Sequence, residues 1–200
     1  MWVDSQRTGS GQWALTHMTQ MIRLKGMADE SSTSTGVFTE LYQQLPHNLL
    51  GRAWSPADGM PLQTLAERLA AGPISAELRD AHEPVLSVND LPISLVEFYL
   101  CLGSCPELLE TTHFFFDPDE FFIVDDHLVF LEDEEESAAW GIPVDQLPLP
   151  DPLLWRRTVG ADTPDGEGDW LCEDGTISEV VTDVITWALS DPDEDAEDHA

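Results

Sequence analysis

The stretch FLEDEEESAAWGI, Phe130 to Ile142, decides how this chain is read. Its two flanks read as apolar strands, and five consecutive acids, Glu132 to Glu136, interrupt them. Carboxylates packed this densely repel one another and keep their water only outside a core. The question is why they stand between segments that must fold together.

Working outward, HLVFL (His127–Leu131) carries the first strand back to the pair Asp125-Asp126, where a hairpin turn joins it to FFIVD. HFFF, at His113–Phe116, reads as a short aromatic strand, and DPDEF, Asp117–Phe121, as a turn. On the other side, LLWRRTV and DWLCE add two β-like segments, with TPDGEGD between them as a loop by composition.

Helical periodicity brackets these strands. GVFTELYQQLP predicts a short helix ending at Pro46. In MPLQTLAERLAAG, Pro61 suits the first turn, Leu62, Leu65 and Leu69 share a face, and Gly72 stops the helix. ISAELRDA adds a weaker helical signal. LPISLVEFYLCLGS places Leu95, Phe98, Tyr99 and Leu102 in one stripe between Pro92 and Gly103. In TISEVVTDVITWAL, Ile177, Val180, Val181, Val184, Ile185, Ala188 and Leu189 recur at helical spacing, and Thr176 with Glu179 fits a capping box. The order is helices, antiparallel strands, then a closing helix. It predicts an α+β fold with N-terminal helices, a central antiparallel or mixed β-sheet and a closing C-terminal helix.

Three stretches are expected from composition. Residues 1–36 are polar, aperiodic and poorly ordered, with Met18, Met21 and Met27 as alternative starts. Residues 37–190 form a single domain, and 191–200 an acidic disordered tail. No apolar run approaches the roughly 20 residues that span a bilayer. The N-terminus lacks the apolar core of a signal peptide, which points to the cytoplasm. Three cysteines, Cys101, Cys105 and Cys172, argue against a disulfide framework.

Charge is the unusual quantity, at −31 over 200 residues. Residues 1–79 hold 6 basic and 7 acidic side chains, a net of −1, whereas 80–200 hold 2 basic and 32 acidic, a net of −30. Such a field repels phosphate and disfavours nucleic acid and anionic membrane. It favours a basic partner. Acidity that only keeps the protein soluble, or that reflects a salt-loving source, accounts for the same number.

Chemistry finds little support. A paired-carboxylate hydrolase needs two acids converging in a cleft, and no motif singles out a pair. DPDEDAEDH and DTPDGEGDW lack calcium-loop spacing. Cys101 and Cys105 stand four apart on one predicted helix, but no second His or Cys pair completes a zinc set, so both read as small apolar residues. The six histidines show no pairing. No G-x-S-x-G, no Gly-rich phosphate loop and no Cys/His set occurs. The reading is no enzyme, no cofactor and no metal.

Four features, in order, resemble the SUKH superfamily, the group that includes the yeast cell-wall assembly regulator. They are LPISLVEFY (Leu91–Tyr99) followed by Gly103; HLVFLEDEEESAAWGI (His127–Ile142), a strand, an acidic turn and a return through Trp140-Gly141; the pair Asp151-Pro152 with Trp170 downstream; and the closing helix GTISEVVTDVITWAL. The sequence departs from the family at Asp133, Glu134 and Glu135, which stand where the family usually shows a Glu-Asn-Gln-like triplet. Members are known chiefly as immunity proteins that bind and block a cognate toxin, often a nuclease or deaminase, and others act as scaffolds. The resemblance implies a binder.

The opening question then has an answer. At a hairpin tip the acids leave the core while Phe130 and Trp140 stay inside it. Charge concentrated on a rigid tip suits capture of the basic surface with which a nucleic-acid-directed toxin grips phosphate. The expected partner-binding residues are Asp125 and Asp126 at one turn and Asp133, Glu134, Glu135 and Glu136 at the tip, forming one acidic face. Such charge raises on-rate and selects partners; tight binding also needs an apolar anchor. The alternative is a regulatory scaffold of the same fold that binds a host signalling protein.

Overall fold

Asp125 and Asp126 both adopt positive φ, 46° and 57°. This is the backbone of a two-residue type I′ turn, whose twist matches that of the strands it joins. The computed structural model of the chain, which describes residues 36–72, 86–159 and 167–190, closes here a hairpin of β2 (Phe122–Val124) and β3 (His127–Asp133), with Val124 opposite His127. β3 continues through the acidic tip into β4 (Ala138–Pro143). Between Val129 and Leu131 the register shifts, a bulge at Phe130.

β5 (Leu153–Val159) pairs with β4, and β6 (Glu167–Thr176) with β5. β1 (His113–Phe115) pairs with the tip half of β3, along the same edge that β2 occupies at the other half. The result is a six-stranded antiparallel sheet in the order β1-β3-β4-β5-β6, with β2 beside β1 on β3. The strands expected at HFFF, FFIVD, HLVFL, AAWGI, LLWRRTV and DWLCE all occur. Part of the loop expected at TPDGEGD lies outside the described residues, and its last residues already belong to β6.

The helices are α1 (Val37–Leu50), α2 (Leu62–Ala71), α3 (Ile93–Leu102), α4 (Pro106–Leu109) and the closing α5 (Ile177–Ser190). α1 runs four residues past Pro46, where the sequence predicted its end. Pro46 forgoes its own N–H bond and crowds the carbonyl one turn back, yet the helix continues through it and stops at Gly51, whose φ of 65° is the left-handed conformation that glycine adopts without strain. Pro61 precedes α2 as its N-cap, and Leu65 and Leu69 face inward. α3 is buried nearly all round, Ile93 to Leu102, so the predicted stripe understates it: this helix is the centre of the core, not its lid. Tyr42 of α1 meets Phe98 of α3 edge-on at 5.4 Å, and Phe98 lies 4.9 Å from Phe115 of β1, which ties helices to sheet. Cys105 follows α3 and does not continue it. Both it and Cys101 are free and buried, and burial pushes their thiols up to about 11 and about 12.

The closing helix is tied down by Pro150-Asp151-Pro152. The Asp151 carboxylate accepts the Ser178 N–H at 3.0 Å and the Ser178 hydroxyl at 2.6 Å. Pro152 O accepts the Ile177 N–H, and Pro150 O accepts the Ser94 N–H at the start of α3, each at 3.0 Å. Three residues thus satisfy orphan donors at the N-termini of two helices. The predicted capping box is half present. Glu179 accepts the Thr176 N–H at 3.0 Å, but the Thr176 hydroxyl donates to Glu179, while Asp151 accepts the neighbouring Ser178 N–H.

The ISAELRDA segment, residues 1–35 and the tail 191–200 lie outside the described residues. Among the described residues, no helix is long and apolar enough to cross a membrane.

Candidate functional site

The six acids expected to form one face do not meet. Asp125 and Asp126 cap one end of β3, and Asp133 to Glu136 the other. Seven residues of strand set the two clusters roughly 20 Å apart at about 3.3 Å per residue. They are two sites, and they differ in what their side chains already do.

Asp125 is engaged. Its Oδ2 lies 3.2 Å from Arg157 Nη1, and its carbonyl is 2.7 Å from His127 Nδ1. Asp126 is exposed, and its carbonyl accepts the Val144 N–H at 2.8 Å. At the tip, Asp133 is engaged too. Its Oδ1 accepts the N–H groups of Ser137 and Ala138 at 2.7 and 2.9 Å, and its Oδ2 accepts the Ser137 hydroxyl. Burial raises its carboxyl, but these donors, with His113 nearby, outweigh burial and hold it below the usual aspartate range. Asp133 is therefore the brace of the turn. Glu136 takes the left-handed position, φ 53°, that closes it.

Glu134, Glu135 and Glu136 remain exposed, and no side-chain hydrogen bond or ion pair joins them to another described residue. The Glu134 N–H donates to Thr112 O at 3.0 Å, which pins the tip against the start of β1. Glu134 and Glu135 overhang a groove of about 640 Å³ between the tip and α5. His113, Trp140, Arg156 and Trp187 line it with Glu134 and Glu135.

Its aromatic content divides in two. Trp140 is 8 % exposed, and its indole N–H reaches Glu173 Oε1 at 3.2 Å, the same oxygen that pairs with Arg156 Nε at 2.7 Å. Trp187 is 59 % exposed. The His113 ring bridges them, 5.3 Å from Trp140 and edge-on to Trp187 at 6.0 Å. Burial lowers the His113 pKa, against the pull of Asp133. The groove therefore has a packed aromatic floor, a solvent-facing indole at one rim and free carboxylates at the other.

The sequence reading passed over Trp187. The signal was its place off the Ile177/Val181/Ile185 stripe, which leaves a tryptophan on the polar face of an amphipathic helix. Asp183, another groove residue, sits one turn before Trp187 on the same helix.

Among the described residues, every arginine is paired with a carboxylate: Arg52 with Asp58, Arg68 with Asp117 and Asp119, Arg156 with Glu173 and Arg157 with Asp125. No group of three or more His, Cys, Asp or Glu side chains there is placed to hold a metal ion. Comparison of the chain with family models, with curated proteins and with solved structures returned no match.

Proposed function

We propose that this chain is a non-catalytic binding module of SUKH type, an immunity protein that binds and neutralises a cognate basic toxin of the nuclease or deaminase class in the cytoplasm. The observation that carries the reading is the union, in one groove, of the free Glu134 and Glu135 carboxylates and an exposed tryptophan. A tryptophan held at the edge of a packed aromatic floor is the kind of anchor that dominates an interface when truncated. The carboxylates steer a basic partner and set its register. The binding site is thus narrower than the six acids: Glu134 and Glu135 with Trp187, and Glu136 beside them on the tip. Asp133 braces the tip, and the Asp125-Asp126 turn lies at the far end of β3.

The test is calorimetry against the product of the neighbouring gene at low and at high salt. The chain should bind tightly, and more weakly as salt rises. Replacing Glu134, Glu135 and Glu136 by Gln should flatten the salt dependence and leave the melting temperature equal or higher, because only like-charge repulsion is removed. Affinity unchanged in that variant would move the site away from the tip.

A further inference from the structure

A second concavity, about 520 Å³, opens between the end of α4, β1 and β2. It lies on the opposite face of the β1–β3 ladder from the tip groove. The register pairs His113 with Asp133 and Phe114 with Glu132, and consecutive strand residues point to opposite faces. Its walls combine four phenylalanines, Phe114, Phe115, Phe116 and Phe122, with acids. Phe114 and Phe122 are 37 % and 39 % exposed, and the Phe116 and Phe122 rings lie 5.7 Å apart. Glu110, Asp117, Glu120 and Glu132 complete the walls, and none of the described lining residues is basic.

Two of these acids already have work. Asp117 pairs with Arg68, and Glu120 accepts the Asp117 N–H at 3.1 Å. Glu110 and Glu132 do not. Glu132 is only partly exposed, and burial, followed by the charges of Glu136, Asp133 and Glu120, raises its carboxyl. A carboxylate crowded by other acids and by aromatic rings lacks one thing, a cation. The rings narrow the choice of cation. Guanidinium is planar and weakly hydrated, stacks on aromatic faces and offers in-plane donors to a carboxylate, whereas an ammonium keeps its water.

We propose that this cleft is the docking pocket for an arginine side chain of the basic protein partner, with the guanidinium between the phenylalanine rings and the Glu132 carboxylate. The inference rests on the reading of the chain as a binder of a basic protein, and it deepens that reading by adding a second contact. A partner that fills both the groove and the cleft straddles β1, so its two contacting segments approach from opposite faces of one edge strand.

The experiment is an NMR titration of the full chain with acetyl-Gly-Arg-Gly-amide at physiological ionic strength, beside matched peptides carrying lysine or citrulline. The arginine peptide should shift the backbone signals of Phe114, Phe122 and Glu132, the lysine peptide should bind several-fold more weakly, and citrulline should have no effect. Glu132→Gln should weaken binding about tenfold through loss of a charge-assisted bond, and Phe122→Ala should weaken it independently. Replacement of Glu134 and Glu135, which line the tip groove, by Gln should leave the cleft response intact. Absent shifts, equal response to lysine, or shifts spread over the acidic surface that survive Glu132→Gln would each overturn the pocket. Peptide shifts without any binding of the neighbouring gene product would instead sink the immunity reading and leave the pocket standing.

Discussion

Asp133→Ala separates an acid that builds the tip from acids that use it. The Asp133 carboxylate accepts three hydrogen bonds, from the Ser137 and Ala138 N–H groups and from the Ser137 hydroxyl. A bond to a charged group is worth about 1.5–3 kcal/mol when buried, but this turn is at the surface and water replaces part of each bond. A loss of about 2 kcal/mol is the expected total. Because donors hold the folded carboxyl below its unfolded value, its contribution is present above about pH 4 and is lost as pH falls through the lower, folded pKa. Urea unfolding of parent and variant at neutral pH should therefore differ by that amount, with unchanged m. The gap should close in the acid range, below the unfolded aspartate pKa. Replacement of Glu134, Glu135 and Glu136 should show neither effect. Equal midpoints for Asp133→Ala and parent at neutral pH, or a gap that persists undiminished in acid, would refute the brace.

The two tryptophans of the groove should part company. Trp140→Ala opens a cavity beneath His113 and costs roughly 3–5 kcal/mol, read as a lowered melting temperature, whereas Trp187→Ala should leave melting nearly unchanged and cut partner affinity by a factor of about 30 or more. Asp151→Ala strips the cap from α5 and leaves the buried Ser178 hydroxyl without its acceptor, so it should cost about 2–4 kcal/mol. Hydrogen exchange should show α5 opening first, and uniform protection across the sheet and α5 would count against the latch.

The fold was legible because its signals are local. Apolar runs bounded by Asp-Asp, Asp-Pro and Gly gave the strands, and the i, i+4 stripe of Ile177, Val181 and Ile185 gave the closing helix. What stayed hidden is long-range. Pro46 looks like a stop because the sequence does not reveal that α1 finds a better one five residues later at Gly51. Asp151-Pro152 carried no hint that its carboxylate caps a helix 27 residues on. The acidic face failed for a simpler reason. Both clusters flank the same strand, so closeness in sequence put them at opposite ends of it. Trp187 escaped because hydrophobic periodicity rewards residues on the stripe, and its meaning lies in being off it.

So acidic a chain folds because many of its acids are bonded within it. Several of its carboxylates are structural donor sinks. Glu97, 2 % exposed on α3, accepts the Thr39 N–H at 2.7 Å and so caps α1 from another helix. Gly36 stands at that N-cap because a Cβ there would lie 2.0 Å from Glu97 Oε1. Asp58 is 7 % exposed and takes both Arg52 Nη groups and the Ser55 N–H. Asp133 and Asp151 do the same work at a turn and at α5. Each satisfies backbone donors that water or a polar neutral cap would otherwise meet, and a negative charge there is favoured by the helix dipole or by converging N–H groups. Acidity that served solubility alone would need none of this placement. Glu134, Glu135 and Glu136 differ from these acids: they return nothing to the fold, repel one another, and sit on a tip that a fourth acid holds rigid. One carboxylate that accepts three hydrogen bonds thus holds the turn from which three unpaired ones project into solvent.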